Sequence, residues 1–182
     1  MCNHKHLTPA DYYETPTAVY DAICEHLCFW PSVDLCATVG TTKCCLFVSE
    51  EQDFLSYDPT EVPWLWDTLP KLAWCNPPYS GKNKERFLDR VVWLAHERHF
   101  TTAVLLPCSP STKWYAKYVA IASTCTTLIG RIPFLMDGVP DTKPMNSSMV
   151  LTFGPMARVH IPTVHMQLDW KRMSNNEDSY QS

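Results

Sequence analysis

Residues 72–79, Leu72-Ala73-Trp74-Cys75-Asn76-Pro77-Pro78-Tyr79, open with four apolar residues and run into two consecutive prolines. The apolar half reads as a buried strand. Neither proline has a backbone N–H to give to a sheet ladder, so the chain must leave the sheet at Asn76. In an open parallel sheet, ligands bind beyond the carboxyl ends of the strands. The prolines also fix the backbone and leave the Pro77 carbonyl without a competing N–H beside it. That carbonyl and the Asn76 side-chain oxygen are then two acceptors held side by side. Such a pair suits the two N–H donors of an aromatic amino group, whose lone pair it draws out of conjugation with the ring. Tyr79 adds a flat face on which a base flipped from its stack can rest.

Working upstream, Val33-Asp34-Leu35-Cys36-Ala37 and Cys44-Cys45-Leu46-Phe47-Val48 read as two further short buried strands. The first runs into a loop containing Gly40, and the second is closed by Glu50-Glu51-Gln52-Asp53. If these strand ends converge with Asn76–Tyr79, carboxylates, a flexible loop and an amide share one site. Residues 9–28 read as a helix, with Thr15-Pro16 suiting its start and Val19, Ile23 and Leu27 recurring at a helical interval. Downstream, residues 83–99 read as a helix with Phe87, Val91 and Leu94 inward and Lys84, Glu85 and Arg90 outward. Ala103-Val104-Leu105-Leu106 is the next strand, and a helix over 111–123 starts at Ser111 or Thr112. Thr127–Gly130 and Met149–Phe153 are strands joined by a polar loop without room for a crossover helix, which predicts antiparallel pairing. The order implies one α/β domain over residues 1–170, a mainly parallel sheet with an antiparallel edge hairpin. Residues 171–182 form a polar tail expected to be disordered.

A chain of 182 residues with seven tryptophans has the material for one packed core. The net charge of -4 provides no global footprint for nucleic acid, so any such binding needs a local patch. Lys82, Lys84 and Arg86 directly follow the tetrad and either steer phosphates or form a solvated helix start. Nine cysteines are an odd number for a disulfide framework, and the opening MCNHKHLTPADYYETP has no apolar signal region. No stretch approaches the roughly 20 apolar residues of a membrane span. A soluble intracellular protein with reduced, mostly buried thiols is therefore expected. Cys2, His4 and His6, then Cys24, His26 and Cys28, lack the paired Cys-x-x-Cys spacing of zinc sites, so no metal is expected.

The tetrad Asn76-Pro77-Pro78-Tyr79 is the signature of amino-group methyltransferases. From Asp11 to Pro155 the chain resembles the small Dam-like DNA N6-adenine methyltransferases of bacteriophages. The resemblance is carried by Asp11-Tyr12-Tyr13-Glu14-Thr15-Pro16, Asp34-Leu35-Cys36-Ala37, Trp74–Ser80, Leu105-Leu106-Pro107, Trp114, Gly130–Phe134 and Ser147–Pro155. It implies a Rossmann-like fold dependent on S-adenosylmethionine (SAM), acting on adenine in flipped-out DNA by direct in-line transfer. It also implies that Thr15 and Pro16 lie near the cofactor's carboxylate. Asp34, Cys36, Ala37 and Gly40 would surround its methionine part, Glu50 or Glu51 would take the ribose, and Asp53 with Phe54 would meet its adenine. Asn76, Pro77, Pro78 and Tyr79 would be catalytic. The same tetrad serves the N4 amino group of cytosine and adenine in RNA, and a catalytically silent binding subunit is a third reading, opposed by the intact tetrad. Plainer readings exist too: a turn at 76–78, a helix cap at Thr15, a solvated acidic run at 50–53. With little room for a recognition domain, target reading would rest on loops 56–70 and 136–146 or on a partner subunit.

Overall fold

The computed structural model describes residues 9–61, 63–80, 82–142, 144, 146–155 and 162–177. Among the described residues nine strands follow in chain order: β1 (Val33–Asp34), β2 (Leu46–Phe47), β3 (Leu72–Cys75), β4 (Thr101–Pro107), β5 (Thr124–Leu128), β6 (Leu135–Met136), β7 (Val139–Pro140), β8 (Ser148–Phe153) and β9 (Val164–Leu168). The α-helices are α1 (Thr17–Leu27), α2 (Asn83–Arg98), α3 (Lys113–Val119) and α4 (Trp170–Glu177). Seven strands make one sheet in the order β2-β1-β3-β4-β8-β5-β9, and β6 pairs with β7 in a separate hairpin. Within the large sheet only β8 runs against the others, antiparallel to both β4 and β5. This is the mainly parallel α/β architecture expected. The antiparallel pairing of the two late strands is present too, but β8 inserts between β4 and β5, and β9 takes the edge parallel to β5.

The sheet is covered on both faces, as parallel sheets require. Val104 and Leu106 of β4 join Phe87, Val91, Leu94 and Tyr118 of α2 and α3 on one side. Ala103 and Leu105 point the other way, joining Val19 and Ile23 of α1 and Trp170 of α4. That alternation is the period of two along a strand.

Several local expectations need correction. Residues 9–28 are not one helix: a 3-10 turn Pro9–Tyr12 precedes α1, and Glu14 bridges to Leu135 between them. Pro16 biases the residue before it towards extended backbone, so helix cannot run through it. The helix at 111–123 shortens to α3, capped by Thr112, whose hydroxyl accepts the Tyr115 N–H at 3.4 Å. The polar tail does not begin at 171, because α4 continues to Glu177 with Trp170 and Met173 docked in the core; residues 178–182 lie outside the described residues. The thiols are not mostly buried: among the described cysteines only Cys24, Cys75 and Cys125 are, and all are free. Cys28, the left-handed C-cap of α1, is exposed. Cys2, His4 and His6 are outside the described residues. Among the described residues no helix is long and apolar enough to cross a membrane.

Candidate functional site

β1, β2 and β3 are parallel neighbours, so the loops leaving their carboxyl ends emerge along one rim of the sheet. There they enclose a cavity of about 330 Å³, within the range of small-molecule sites. Of the residues singled out for a cofactor, Thr15, Asp34, Cys36, Ala37, Glu50, Asp53 and Phe54 line it. Pro16 does not, being the N-cap of α1, and neither does Gly40 nor Glu51. A side chain at Gly40 would meet no protein atom closer than 4.0 Å.

Asp34 sits at the floor of the site, at the last residue of β1, where its backbone is held by the neighbouring strands. Its Oδ1 accepts the Cys36 N–H at 3.2 Å and its Oδ2 the Lys43 N–H at 3.3 Å. Burial outweighs these two bonds and the nearby Lys43 charge, pushing its carboxyl up to about 6. The Lys43 ammonium is turned elsewhere, onto Glu14 Oε1 at 2.6 Å. In the same cavity lining the Thr15 hydroxyl is buried and has no hydrogen-bond partner among the described residues. An orphaned hydroxyl and a desolvated carboxylate in one cavity are costly unless a ligand meets them.

The opposite wall is built differently. Asp53 has a left-handed backbone, φ 53°, and spends its carboxylate on its own turn, accepting the Leu55 N–H at 3.2 Å and the Ser56 hydroxyl at 3.1 Å. Phe54 packs on Phe87, ring centroids 5.8 Å apart. Arg90, expected to point outward, instead pins this turn: Nε donates to the Phe54 carbonyl at 3.2 Å and Nη2 to the Tyr57 carbonyl at 2.9 Å. Cys36 is half-buried as a residue, but its Sγ lies 3.4 Å from Cys75 Sγ, and desolvation of the sulfur raises its thiol well above the ordinary value, so it is a poor nucleophile.

At the third strand end, Asn76 and Pro78 line the cavity while Pro77 is buried beneath them. Asn76 Nδ2 donates to the Tyr13 carbonyl at 3.1 Å. The Tyr79 hydroxyl lies 2.7 Å from Asn76 Oδ1 and 3.0 Å from the Leu105 carbonyl, sharing its proton between them. The amide orientation is therefore set from both ends. Tyr79 is half-buried against the core and is not among the residues lining this cavity.

Lys82, Lys84 and Arg86 stand at the start of α2, outside the cavity. Lys82 and Arg86 are exposed, whereas Lys84 Nζ sits 4.1 Å over the Trp114 ring. The segment 11–14 also enters the cavity wall, as do Lys43 and Asp137. The first is visible in the sequence as part of a motif. Lys43 and Asp137 carry no local signal, since only folding brings them to the rim.

Residues 3–173 match the family model described as DNA N-6-adenine-methyltransferase (Dam). A protein of Haemophilus phage HP1 (strain HP1c1) named DNA N-6-adenine-methyltransferase is 28% identical over 150 residues, covering 81% of this chain and 80% of the phage protein.

Proposed function

The chain belongs to the DNA N-6-adenine-methyltransferase (Dam) family, and on that premise we propose that Asn76 and Pro77 present a flipped adenine to SAM held in the adjoining cavity. The enzyme methylates the N6 amino group of adenine in DNA, and SAM is the methyl donor that the family implies. When bound, SAM supplies an electrophilic methyl group on a sulfonium centre.

The residues present fit that group. Its ammonium finds in Asp34 a buried carboxylate with only backbone donors in direct contact. Its carboxylate finds the unpartnered Thr15 hydroxyl. Glu50 is an exposed acid on the rim, placed for hydroxyl groups, and Phe54 offers an aromatic wall.

Asn76 does the work on the substrate side. An amide oxygen has two lone pairs, so Oδ1 keeps the Tyr79 hydroxyl on one and accepts an adenine N–H on the other. The Pro77 carbonyl accepts the second N–H. Together they hold the amino lone pair out of conjugation and in line for transfer, and no strong general base is needed. Tyr79 is a positioning residue in this scheme, aiming Asn76. Exposed Lys82 and Arg86 attract the DNA backbone, with Lys84 reaching it only by leaving Trp114. Target reading falls to loop 56–70 and the β6–β7 hairpin, or to a second subunit.

The observation that carries this reading is an Asn76 amide locked from both ends beside a cavity holding an orphaned hydroxyl and a desolvated carboxylate. The test is methyl incorporation from labelled SAM into unmethylated duplex DNA, single-stranded DNA and RNA, with nucleosides identified by mass spectrometry. N6-methyladenine in DNA is the expected product, and Asn76→Ala abolishes it while leaving SAM affinity within about threefold. N4-methylcytosine, or label in RNA alone, would overturn the assignment.

A further inference from the structure

Asp53 and Phe54, both buried and both lining the cavity, belong to a single short turn. The Asp53 carbonyl accepts the Ser56 and Tyr57 N–H groups at 2.9 and 2.8 Å. Asp53 enters that turn at φ 53°, a left-handed conformation that L side chains disfavour. Its carboxylate caps the start of the turn through the Leu55 N–H and the Ser56 hydroxyl. The carbonyls that follow have no next turn to pair with and need donors from outside. Arg90 supplies them, Nε to Phe54 at 3.2 Å and Nη2 to Tyr57 at 2.9 Å. A guanidinium on the last carbonyls of a turn is a charge-assisted C-terminal cap.

That cap comes from the helix that leaves the tetrad. α2 starts at Asn83, four residues after Tyr79, and Phe87 and Arg90 stand about one turn apart along it. Phe87 packs on Phe54, and the Arg90 guanidinium carbon lies 3.8 Å from the centre of the Trp93 ring, which braces it. Further along, Arg98 Nε donates to Asp58 Oδ2 at 2.7 Å, holding the residue just beyond the turn. Arg90 itself is not among the residues lining the cavity.

We propose that Arg90 is a positioning residue for SAM, which holds turn 53–57 in the shape that meets the cofactor's adenosine half. The proposal rests on the reading of this cavity as the SAM site. Arg90 touches neither cofactor nor DNA in this scheme. Without the cap the turn visits other shapes, and the apparent affinity falls with the fraction of chains in which it is ordered. Once SAM is bound the turn is in place, so transfer at Asn76 proceeds at its usual rate.

The experiment compares the full chain with Arg90→Met, which keeps an apolar stem beside Trp93, and Arg90→Lys, which keeps the charge without the fork. Kd is measured for SAM and for 5′-methylthioadenosine, which lacks the amino-acid part, and kcat at saturating SAM. Arg90→Met is expected to weaken both Kd values by the same factor, roughly 10- to 100-fold, the range for charged hydrogen bonds lost. Arg90→Lys recovers part of the loss, and kcat stays within about twofold. In the ligand-free chain, hydrogen exchange of the Ser56 and Tyr57 amides speeds up in Arg90→Met while that of β4 does not. Wild-type SAM affinity in Arg90→Met overturns the inference and leaves the cavity reading standing. Loss of SAM affinity with 5′-methylthioadenosine unaffected places the effect at the amino-acid end and overturns it. Faster exchange in β4 as well makes Arg90 a support of the whole fold and refutes a local role. A wild-type chain that binds no SAM removes the cavity reading, and this inference falls with it.

Discussion

Protonating Asp34 is expected to loosen SAM binding, and the size of the effect follows from its surroundings. Its carboxyl is pushed up to about 6, because burial outweighs the Cys36 and Lys43 N–H groups and the Lys43 charge. Against an ordinary 3.8, that shift corresponds to about 3 kcal/mol of cost in keeping the ligand-free fold ionised at neutral pH. The sign runs two ways. The folded value is raised, so Asp34 stabilises the ligand-free fold at acid pH, and this contribution is lost as pH rises through about 6. Binding behaves oppositely, since only the carboxylate pairs with an ammonium. At pH 7 about nine-tenths of the groups are ionised and at pH 5 about one-tenth, so SAM Kd should weaken about tenfold between them. That window stays below the titration of the cofactor's own amino group, near 8. Asp34→Asn should weaken Kd at pH 7 by roughly 10- to 150-fold, the loss of one charged hydrogen bond, and should flatten the pH dependence. Isothermal titration calorimetry at both pH values, with circular dichroism to check the fold at pH 5, makes the comparison. A wild-type Kd that changes less than twofold, or an Asp34→Asn variant that keeps the slope, would refute the argument.

Two further outcomes follow from single contacts. Tyr79→Phe removes the proton shared by Asn76 Oδ1 and the Leu105 carbonyl. It should lower kcat about tenfold with SAM affinity unchanged, and an unaltered kcat in single-turnover assays would end its positioning role. The Leu105 side chain is fully buried between the sheet and the α1–α4 layer. Leu105→Ala should cost about 2–5 kcal/mol in urea unfolding, and a loss below about 1 kcal/mol would mean that face is loosely packed.

The site's location is legible in the sequence because its signal is local. Two consecutive prolines end β3 whatever the rest of the chain does, as they have no N–H to pair. The apolar spacing of Phe87, Val91 and Leu94 likewise specifies the buried face of α2 from within one segment. Asp34 and Asn76 fall at strand ends that short apolar runs mark in the same local way. What the sequence leaves hidden is long-range. The insertion of β8 between β4 and β5 depends on pairing partners more than 20 residues away, which no local pattern encodes. The docking of Trp170 is masked by the polar residues that follow it, which read as a tail. Arg90 has the pattern of a solvent-facing charge, yet carbonyls 33 and 36 residues away meet it.

Chemistry by residue type is therefore the sequence's own contribution: an amide and a proline carbonyl at a forced sheet exit, with acids at neighbouring strand ends. What those groups do is left to tertiary structure. Tyr79 carries an aromatic ring in either case, but only packing sets its hydroxyl between the Asn76 amide oxygen and the Leu105 carbonyl, 26 positions later. Asp34 is one acid among many in the chain until burial removes its water and Lys43 turns to Glu14. Desolvation and partner choice are properties of the surroundings, and the surroundings exist only once distant segments have met.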